Sequence, residues 1–136
     1  MYETFEHTAD LGIRASADTR QGLFAEMGLA LFSVIVANLD EVRPVVRRTL
    51  RVEGQDPEYL LVDWLSELLY LYEHASYAAS RIDVAFDADG MAAELAGEKL
   101  DAARHRREHE VKAVTYHELR VEQTSDGWMA EVILDI

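Results

Sequence analysis

Residues 54–74 read GQDPEYLLVDWLSELLYLYEH and predict a long amphipathic helix. Asp56 suits the N-cap position, Pro57 suits the first helical position, and Glu58 favours the positive end of the helix dipole. Apolar side chains then recur at helical spacing along one side: Leu61, Trp64, Leu65, Leu68, Leu69 and Tyr72. We expect this stripe to face the core and the helix to fade between Ala75 and Ala79.

A second helix is predicted earlier in the chain. Asp18 or Thr19 can cap it, and it is expected to run to about Asn38. Its apolar face is formed by Leu23, Met27, Ala30, Leu31, Val34 and Ile35.

Elsewhere, apolar residues alternate with polar ones, as is typical of half-buried strands. The strands are expected at 2–6, 12–17, 45–52, 82–86, 91–95, 111–122 and 128–136.

The order β, β, α, β, α followed by four strands predicts an α+β two-layer sandwich. It would have a mostly antiparallel sheet with two long helices packed on one face. A length of 136 residues suits one domain that spans residues 1–136. The stretch from Gly97 to Glu110 is polar and rich in His, Arg and Glu, so we expect a long exposed loop there.

The charge balance excludes some classes of partner. The chain has 26 Asp and Glu against 13 Lys and Arg, a formal net charge of -13. Nucleic acids are polyanions, so stable binding of RNA or DNA by this chain alone is not expected. A basic protein partner, or a hard cation held by carboxylates, is the better match. The chain has 0 Cys, which excludes disulfides and thiolate chemistry.

The sequence gives no indication of export or membrane insertion. Met1 to Glu6 lack the basic and apolar regions of a signal peptide. Charged residues interrupt every apolar stretch well before the ~20 residues that a membrane helix requires. We therefore expect a cytoplasmic location.

The segment His7-Thr8-Ala9-Asp10 is the first candidate site. An imidazole three positions from a carboxylate in a turn can place both groups around a cation or a reacting group. Asp10 and Thr8 could equally cap the turn with their side-chain oxygens. Spacing alone leaves both interpretations open.

The chain end, Val132-Ile133-Leu134-Asp135-Ile136, is the second candidate. A side-chain carboxylate followed directly by the terminal carboxylate concentrates two anions, which repel unless a proton or a cation neutralises them. Ligation by oxygen alone selects Ca²⁺ or Mg²⁺ over Zn²⁺. The alternative is a frayed, solvated terminus. The apolar run before Asp135 instead indicates a central strand.

Other polar residues carry weaker signals. His105 and His109 have the spacing of a helical metal pair, but their stretch lacks an apolar face, so a zincin-like site is not supported. Lys112 and His117 flank a β-prone segment, and Lys112 could hold a phosphate or pair with Asp10. The sequence contains no nucleophile elbow, Walker loop or dinucleotide fingerprint.

Together, four segments resemble the archease family. They are His7-Thr8-Ala9-Asp10-Leu11-Gly12-Ile13, Gly97-Glu98 with Asp101 and His105, Lys112-Ala113-Val114-Thr115-Tyr116-His117, and Ile133-Leu134-Asp135-Ile136. The resemblance covers the whole chain in the family's order. It implies a non-enzymatic activator of an RtcB-type RNA ligase, which joins 2′,3′-cyclic phosphate or 3′-phosphate ends to 5′-hydroxyl ends in tRNA splicing and RNA repair. It also implies that the activator promotes guanylylation of the ligase and its multiple turnover.

The resemblance further implies a bound divalent cation, calcium first and magnesium second. Its ligands would be Asp10, Asp135 and main-chain oxygens of Ile136. The surface that docks the ligase would include His7, Glu98, Asp101, Lys112 and His117. Two alternatives belong to other classes. One is a stand-alone metal-dependent phosphohydrolase with His7 or His117 as base, and the other is a calcium-binding, chaperone-like interaction module.

Overall fold

The computed structural model describes residues 1–7 and 10–136. Its elements in chain order are β1 Tyr2–His7, β2 Asp10–Ala17, α1 Arg20–Ile35, a 3-10 helix Leu39–Glu41, β3 Val46–Glu53, α2 Pro57–Ala75, β4 Tyr77–Phe86, β5 Gly90–Lys99, β6 Ala113–Val114, β7 Arg120–Thr124 and β8 Gly127–Asp135. The prediction that Thr8 caps a turn lies outside the described residues.

Both long helices begin at the predicted caps. The Asp56 side chain accepts hydrogen bonds from the backbone of the first turn of α2. For α1 the cap is Thr19, whose hydroxyl accepts from the Gly22 N–H at 3.0 Å. The helix ends at Ile35 rather than near Asn38. The next residue, Val36, turns into extended backbone and pairs with a later segment instead of continuing the helix.

The strands divide between two antiparallel sheets. The five-stranded sheet has the order β1-β2-β8-β6, and β7 also pairs with β8. The three-stranded sheet has the order β3-β5-β4. The predicted α+β class with two long helices and antiparallel pairing is confirmed. The last strand, β8, lies inside its sheet between β2 and the β6 and β7 edge, as its apolar pattern predicted.

The core forms where the two helices pack on both sheets. Helix α1 contacts β2 of one sheet and β4 of the other, so it joins the two sheets. The Trp64 indole N–H of α2 donates to the Phe24 carbonyl of α1 at 2.9 Å. At Gly28 a Cβ atom would lie 2.8 Å from the Ile82 side chain, so glycine permits the close contact between α1 and β4. Within the described chain, neither helix is long and apolar enough to span a membrane.

The region expected to be a long exposed loop differs from that prediction. Gly97 to Lys99 complete β5, and a Cβ on Gly97 would collide with the carbonyl oxygen of Ala78 on β4. Residues 100–112 then form a strap along the end of α1. The Glu108 N–H, for example, donates to the Ile35 carbonyl at 2.8 Å. His105 is buried. The prediction of an exposed loop is therefore wrong for residues 97–99, which belong to β5, and for His105.

Candidate functional site

Strand register aligns the residues of the first motif with the end of the chain. His7 on β1 faces Asp10 on β2, and Leu11 on β2 faces Leu134 on β8. Asp10 and Asp135 each lie one residue beyond the Leu11–Leu134 pair, on the neighbouring strands β2 and β8. Facing residues of antiparallel strands have Cα atoms about 4.5–5.5 Å apart and point to the same side of the sheet. His7, Asp10 and Asp135 therefore form a row across three neighbouring strands.

The row lies on the side of the sheet that faces away from the helices. Side chains alternate between the two faces of a sheet along each strand. The residues that alternate with Asp10 and Asp135 point to the opposite face, into the core. The core-facing set is Ile13, Ala15, Ala130, Val132 and Leu134. Asp10 and Asp135 alternate with these residues and remain partly exposed. A ligand or a partner can therefore reach them from solvent.

Other charges on this outer face are paired across strands. Arg14 donates to Glu3 at 2.8 Å and lies 3.4 Å from Glu131. Arg120 donates to the second oxygen of Glu131 at 3.0 Å. These contacts form an alternating ladder of charge, and the carboxylate partners raise the pKa of Arg14.

The aspartates of the row have no such arginine partner among residues 1–7 and 10–136. The ion-pair contact of Asp10 there is with His7, whose Nδ1 lies 3.7 Å from Oδ2. Asp135 accepts a hydrogen bond at its main chain, where the Lys112 N–H donates to its carbonyl at 2.7 Å. Two like charges on facing residues repel each other, so a cation between them would be stabilising.

The donor atoms suit a hard divalent cation. Asp10 and Asp135 supply carboxylate oxygens, and Ile136 adds main-chain oxygens beside them. Ca²⁺ and Mg²⁺ prefer oxygen ligands of these types. The residues present therefore fit the cation that the sequence resemblance implies, and calcium or magnesium binding stays a prediction.

A turn between β6 and β7 brings two further residues to the row. A continuous strand was expected at 111–122, and this prediction is wrong because residues 115–119 leave the sheet. The Thr115 hydroxyl donates to the Ile133 carbonyl at 2.8 Å and accepts from the His117 N–H at 3.2 Å. Glu118 follows with a positive φ of 52°. The turn directs both side chains toward His7.

His7 contacts both residues of this turn. Its Nε2 lies 3.2 Å from Oε2 of Glu118, and its ring packs edge-on against His117 with centroids 5.4 Å apart. The sequence analysis identified His117 but not Glu118, because a left-handed residue inside a β-prone stretch has no pattern to indicate it. Of the predicted site residues, His7, Asp10, Lys112, His117, Asp135 and Ile136 share this end of the sheet.

Glu98 lies in a different cluster and is buried. Its side chain is 9% exposed, and Arg104 donates to both of its oxygens at 3.0 and 2.9 Å. The Arg43 backbone N–H adds a hydrogen bond at 2.7 Å. The Arg104 guanidinium is the main reason that the pKa of Glu98 is held well below its usual range, against the opposing effect of burial. This carboxylate is engaged within the protein, so we remove it from the expected docking surface.

Asp101 and His105 belong to the same cluster as Glu98. The Asp101 backbone N–H donates to Nδ1 of His105 at 2.9 Å, and the Asp101 carboxylate accepts from the Ala103 N–H. Nε2 of His105 lies 3.3 Å from Glu98 without the alignment of a hydrogen bond. Asp101 is exposed, but these contacts give it a role in a local turn apart from the sheet end.

Fold and site together define a class: a small acidic α+β protein whose two sheets are joined by helices, with an oxygen-rich row at one sheet end. Comparison with known proteins identifies the family within this class. Residues 2–136 match the model of the "Archease protein family (MTH1598/TM1083)". The chain belongs to the archease family.

Individual relatives agree with this assignment. The chain is 41% identical to the protein archease of Pyrococcus furiosus, over 99% of this chain and 98% of that one. It is 39% identical to the protein archease of Saccharolobus islandicus at the same coverage. The solution structure of protein 1598 of Methanobacterium thermoautotrophicum aligns with a TM-score of 0.86 and 32% identity, over 99% and 98% of the chains.

A more distant structure shares the fold. An archease from Thermotoga maritima, described as a possible chaperone, aligns with a TM-score of 0.68 over 100% of this chain and 98% of its own. Its identity is 17%, so this likeness concerns the fold alone.

Proposed function

We propose that the protein is a non-enzymatic activator of an RtcB-type RNA ligase. It would promote guanylylation of the ligase and thereby its multiple turnover in tRNA splicing and RNA repair, in the cytoplasm. The observation that carries the proposal is the row of Asp10 and Asp135 at an exposed sheet end, without an arginine partner among the described residues. Membership of the archease family supports it.

In this proposal, Asp10, Asp135 and the oxygens of Ile136 hold a divalent cation. When bound, such a cation neutralises charge on phosphate oxygens and helps to position them. The carboxylates of the chain orient the cation at an open sheet end, where the nucleotide site of a partner can approach. The catalytic groups belong to the ligase, which accords with the lack of a nucleophile motif in this sequence.

The surface around the row suits a protein partner. Tyr116, next to His117, packs against Tyr59 of α2 with ring centroids 5.7 Å apart, and both tyrosines are more than half exposed. Aromatic residues are enriched at protein interfaces. We propose His7, Lys112 and His117 as docking residues beside this tyrosine pair. The net charge of -13 favours a basic, RNA-handling partner over direct RNA binding.

Multiple-turnover ligation with a cognate ligase tests the proposal. RNA with a 2′,3′-cyclic phosphate end and RNA with a 5′-hydroxyl end are supplied in excess over the ligase, with and without this protein. We expect product to exceed one equivalent per ligase only when the protein is present. Equal product in both reactions would contradict the proposal.

Two controls separate the alternative functions. Hydrolysis of phosphoesters by the purified protein without ligase would indicate a metal-dependent hydrolase. A large gain in stability with Ca²⁺, without any change in ligation, would indicate a calcium-binding interaction module. The proposed function predicts neither of these results.

A further inference from the structure

His7, His117 and Glu118 form a compact group of metal-ligating side chains. One ligand atom from each residue lies within 4.8 Å of the other two. Glu118 reaches both imidazoles: Oε2 lies 3.2 Å from Nε2 of His7, and Oε1 lies 3.7 Å from Nε2 of His117. Ligand atoms around a tetrahedral zinc ion are about 3.3 Å apart, given metal–ligand distances of about 2.0–2.2 Å. The two measured distances, 3.2 and 3.7 Å, are close to that spacing.

We propose that His7, His117 and Glu118 form a transition-metal site, separate from the oxygen donors of Asp10 and Asp135. Two imidazole nitrogens and one carboxylate are a donor set for Zn²⁺ and similar borderline divalent ions. Ca²⁺ and Mg²⁺ prefer all-oxygen sites. The two candidate sites would therefore select different ions although they share one end of the sheet. This inference does not depend on the proposed ligase activation.

The second nitrogen of His7 supports the proposal. Nδ1 is buried without a hydrogen-bond partner among residues 1–7 and 10–136, and Oδ2 of Asp10 lies 3.7 Å away. If Nε2 of a neutral His7 carries the proton and donates to Glu118, the Nδ1 lone pair faces the Asp10 carboxylate. A metal on Nε2 instead leaves the proton on Nδ1, directed at Asp10. A metal-ligating histidine commonly donates its other N–H to a carboxylate in this way.

The backbone of the turn sets the positions of the two ligands that it carries. Glu118 is one of two non-glycine residues with positive φ in the described chain. A left-handed conformation costs a residue with a side chain about 1–2 kcal/mol. Thr115 holds the turn against β8 through its hydroxyl. The strained conformation presents His117 and Glu118 side by side to His7.

The site is open to solvent on one side. His117 and Glu118 are each 61% exposed, whereas His7 is 23% exposed. Three protein ligands with an open position leave room for a water molecule or for a ligand atom of a partner. A metal held here could therefore join this surface to a partner molecule.

Titration with Co²⁺ tests the proposal, because the visible absorption of Co²⁺ distinguishes tetrahedral from octahedral coordination. The protein is used without a polyhistidine tag and without added metal. We expect one Co²⁺ per chain, with the intense bands of a tetrahedral site. His117→Ala and Glu118→Gln should each weaken binding at least tenfold, because even outer-shell partners of a metal ligand contribute about 10–100-fold to affinity.

His74→Ala is the matched control. His74 lies on α2, where it stacks on Tyr70 away from the turn, so its loss should leave Co²⁺ binding unchanged. A large excess of Ca²⁺ should also leave the spectrum in place. Absence of a stoichiometric tetrahedral spectrum would overturn the proposal. So would wild-type affinity in both site variants, or displacement of Co²⁺ by Ca²⁺.

Discussion

Glu98 and Asp135 are carboxylates at the ends of long antiparallel strands, but their surroundings differ. Glu98 is almost fully buried and accepts hydrogen bonds from Arg43 and Arg104. Asp135 is partly exposed, lies on the strand next to that of Asp10, and has no arginine partner among the described residues. The charge of Glu98 is neutralised within the protein, whereas the charge of Asp135 adds to that of Asp10.

The difference separates a structural role from a binding role. The Glu98 cluster holds the strap after β5 to the segment after α1, because its partners come from both. Among residues 1–7 and 10–136, the two aspartates of the row have no arginine partner, and like charges there repel each other. We therefore expect substitutions in the first cluster to change stability, and substitutions in the row to change binding.

The largest effect is expected from Gly97→Ala, beside Glu98. A Cβ at this position would meet the main chain of Ala78 and Ala79, which cannot move aside as a side chain could. We expect a loss of about 3 kcal/mol in the free energy of unfolding, measured by urea denaturation. Gly22→Ala is the matched control, because its Cβ would meet only side chains, at 3.2 Å. It should change stability by less than about 1 kcal/mol. If the two variants were equally stable, this would contradict the close approach of β4 to β5 at Gly97.

Calcium should stabilise the protein through the row. A ligand at 100 times its dissociation constant stabilises the native state by about 2.7 kcal/mol. We expect Ca²⁺ to raise the stability of the wild type by this amount in thermal unfolding. The Asp135→Asn variant should show no such gain. Glu98→Gln should keep the gain, because Glu98 lies outside the row. A gain in Asp135→Asn equal to that of the wild type would exclude Asp135 as a ligand.

Glu98→Gln should destabilise the protein by about 2 kcal/mol at neutral pH. Hydrogen bonds to a charged group contribute about 1.5–3 kcal/mol, and partial exposure of the arginines reduces the effect. The folded pKa of Glu98 is lowered, so its contribution is complete above the unfolded value of about 4.3 and declines as pH falls through the folded pKa. The difference in the free energy of unfolding between Glu98→Gln and the wild type should therefore be constant from pH 7 to about 5. It should shrink in more acidic solution. A difference that grows in acid would contradict this ion pairing.

The smallest effect on stability is expected from Asp135→Asn without added cation. The substitution keeps the size of the side chain and removes one of two like charges. We expect a change within about 0.5 kcal/mol, of either sign, in chemical denaturation. A loss of 2 kcal/mol or more would show that Asp135 has a structural role like that of Glu98.

Much of the fold was readable from local patterns in the sequence. The Asp56-Pro57 start of α2 and the apolar stripes of both helices depend on neighbours within one or two turns. Alternating residues placed most strands for the same reason. The division into two sheets was not predicted, because pairing of β3, β4 and β5 among themselves depends on contacts that are distant in sequence.

The candidate site was partly readable. The motif at His7 to Asp10 and the carboxylates at the chain end were identified as separate groups, and strand register now aligns them. Burial of Glu98 was missed, since its partner Arg43 lies 55 positions away and composition around it is polar. The role of Glu118 was missed as well. Its left-handed conformation arises where the β6 to β7 edge leaves the sheet, and no local pattern indicates it.

The central claim is that the row of Asp10 and Asp135 acts on a partner. Guanylylation of a cognate ligase by GTP, measured with saturating Asp10→Ala or Asp135→Ala protein, tests it most directly. Asp83→Ala, which removes an exposed aspartate from the three-stranded sheet, is the matched control. We predict full stimulation by the control and loss of stimulation in both row variants. Full stimulation by both row variants would contradict the account.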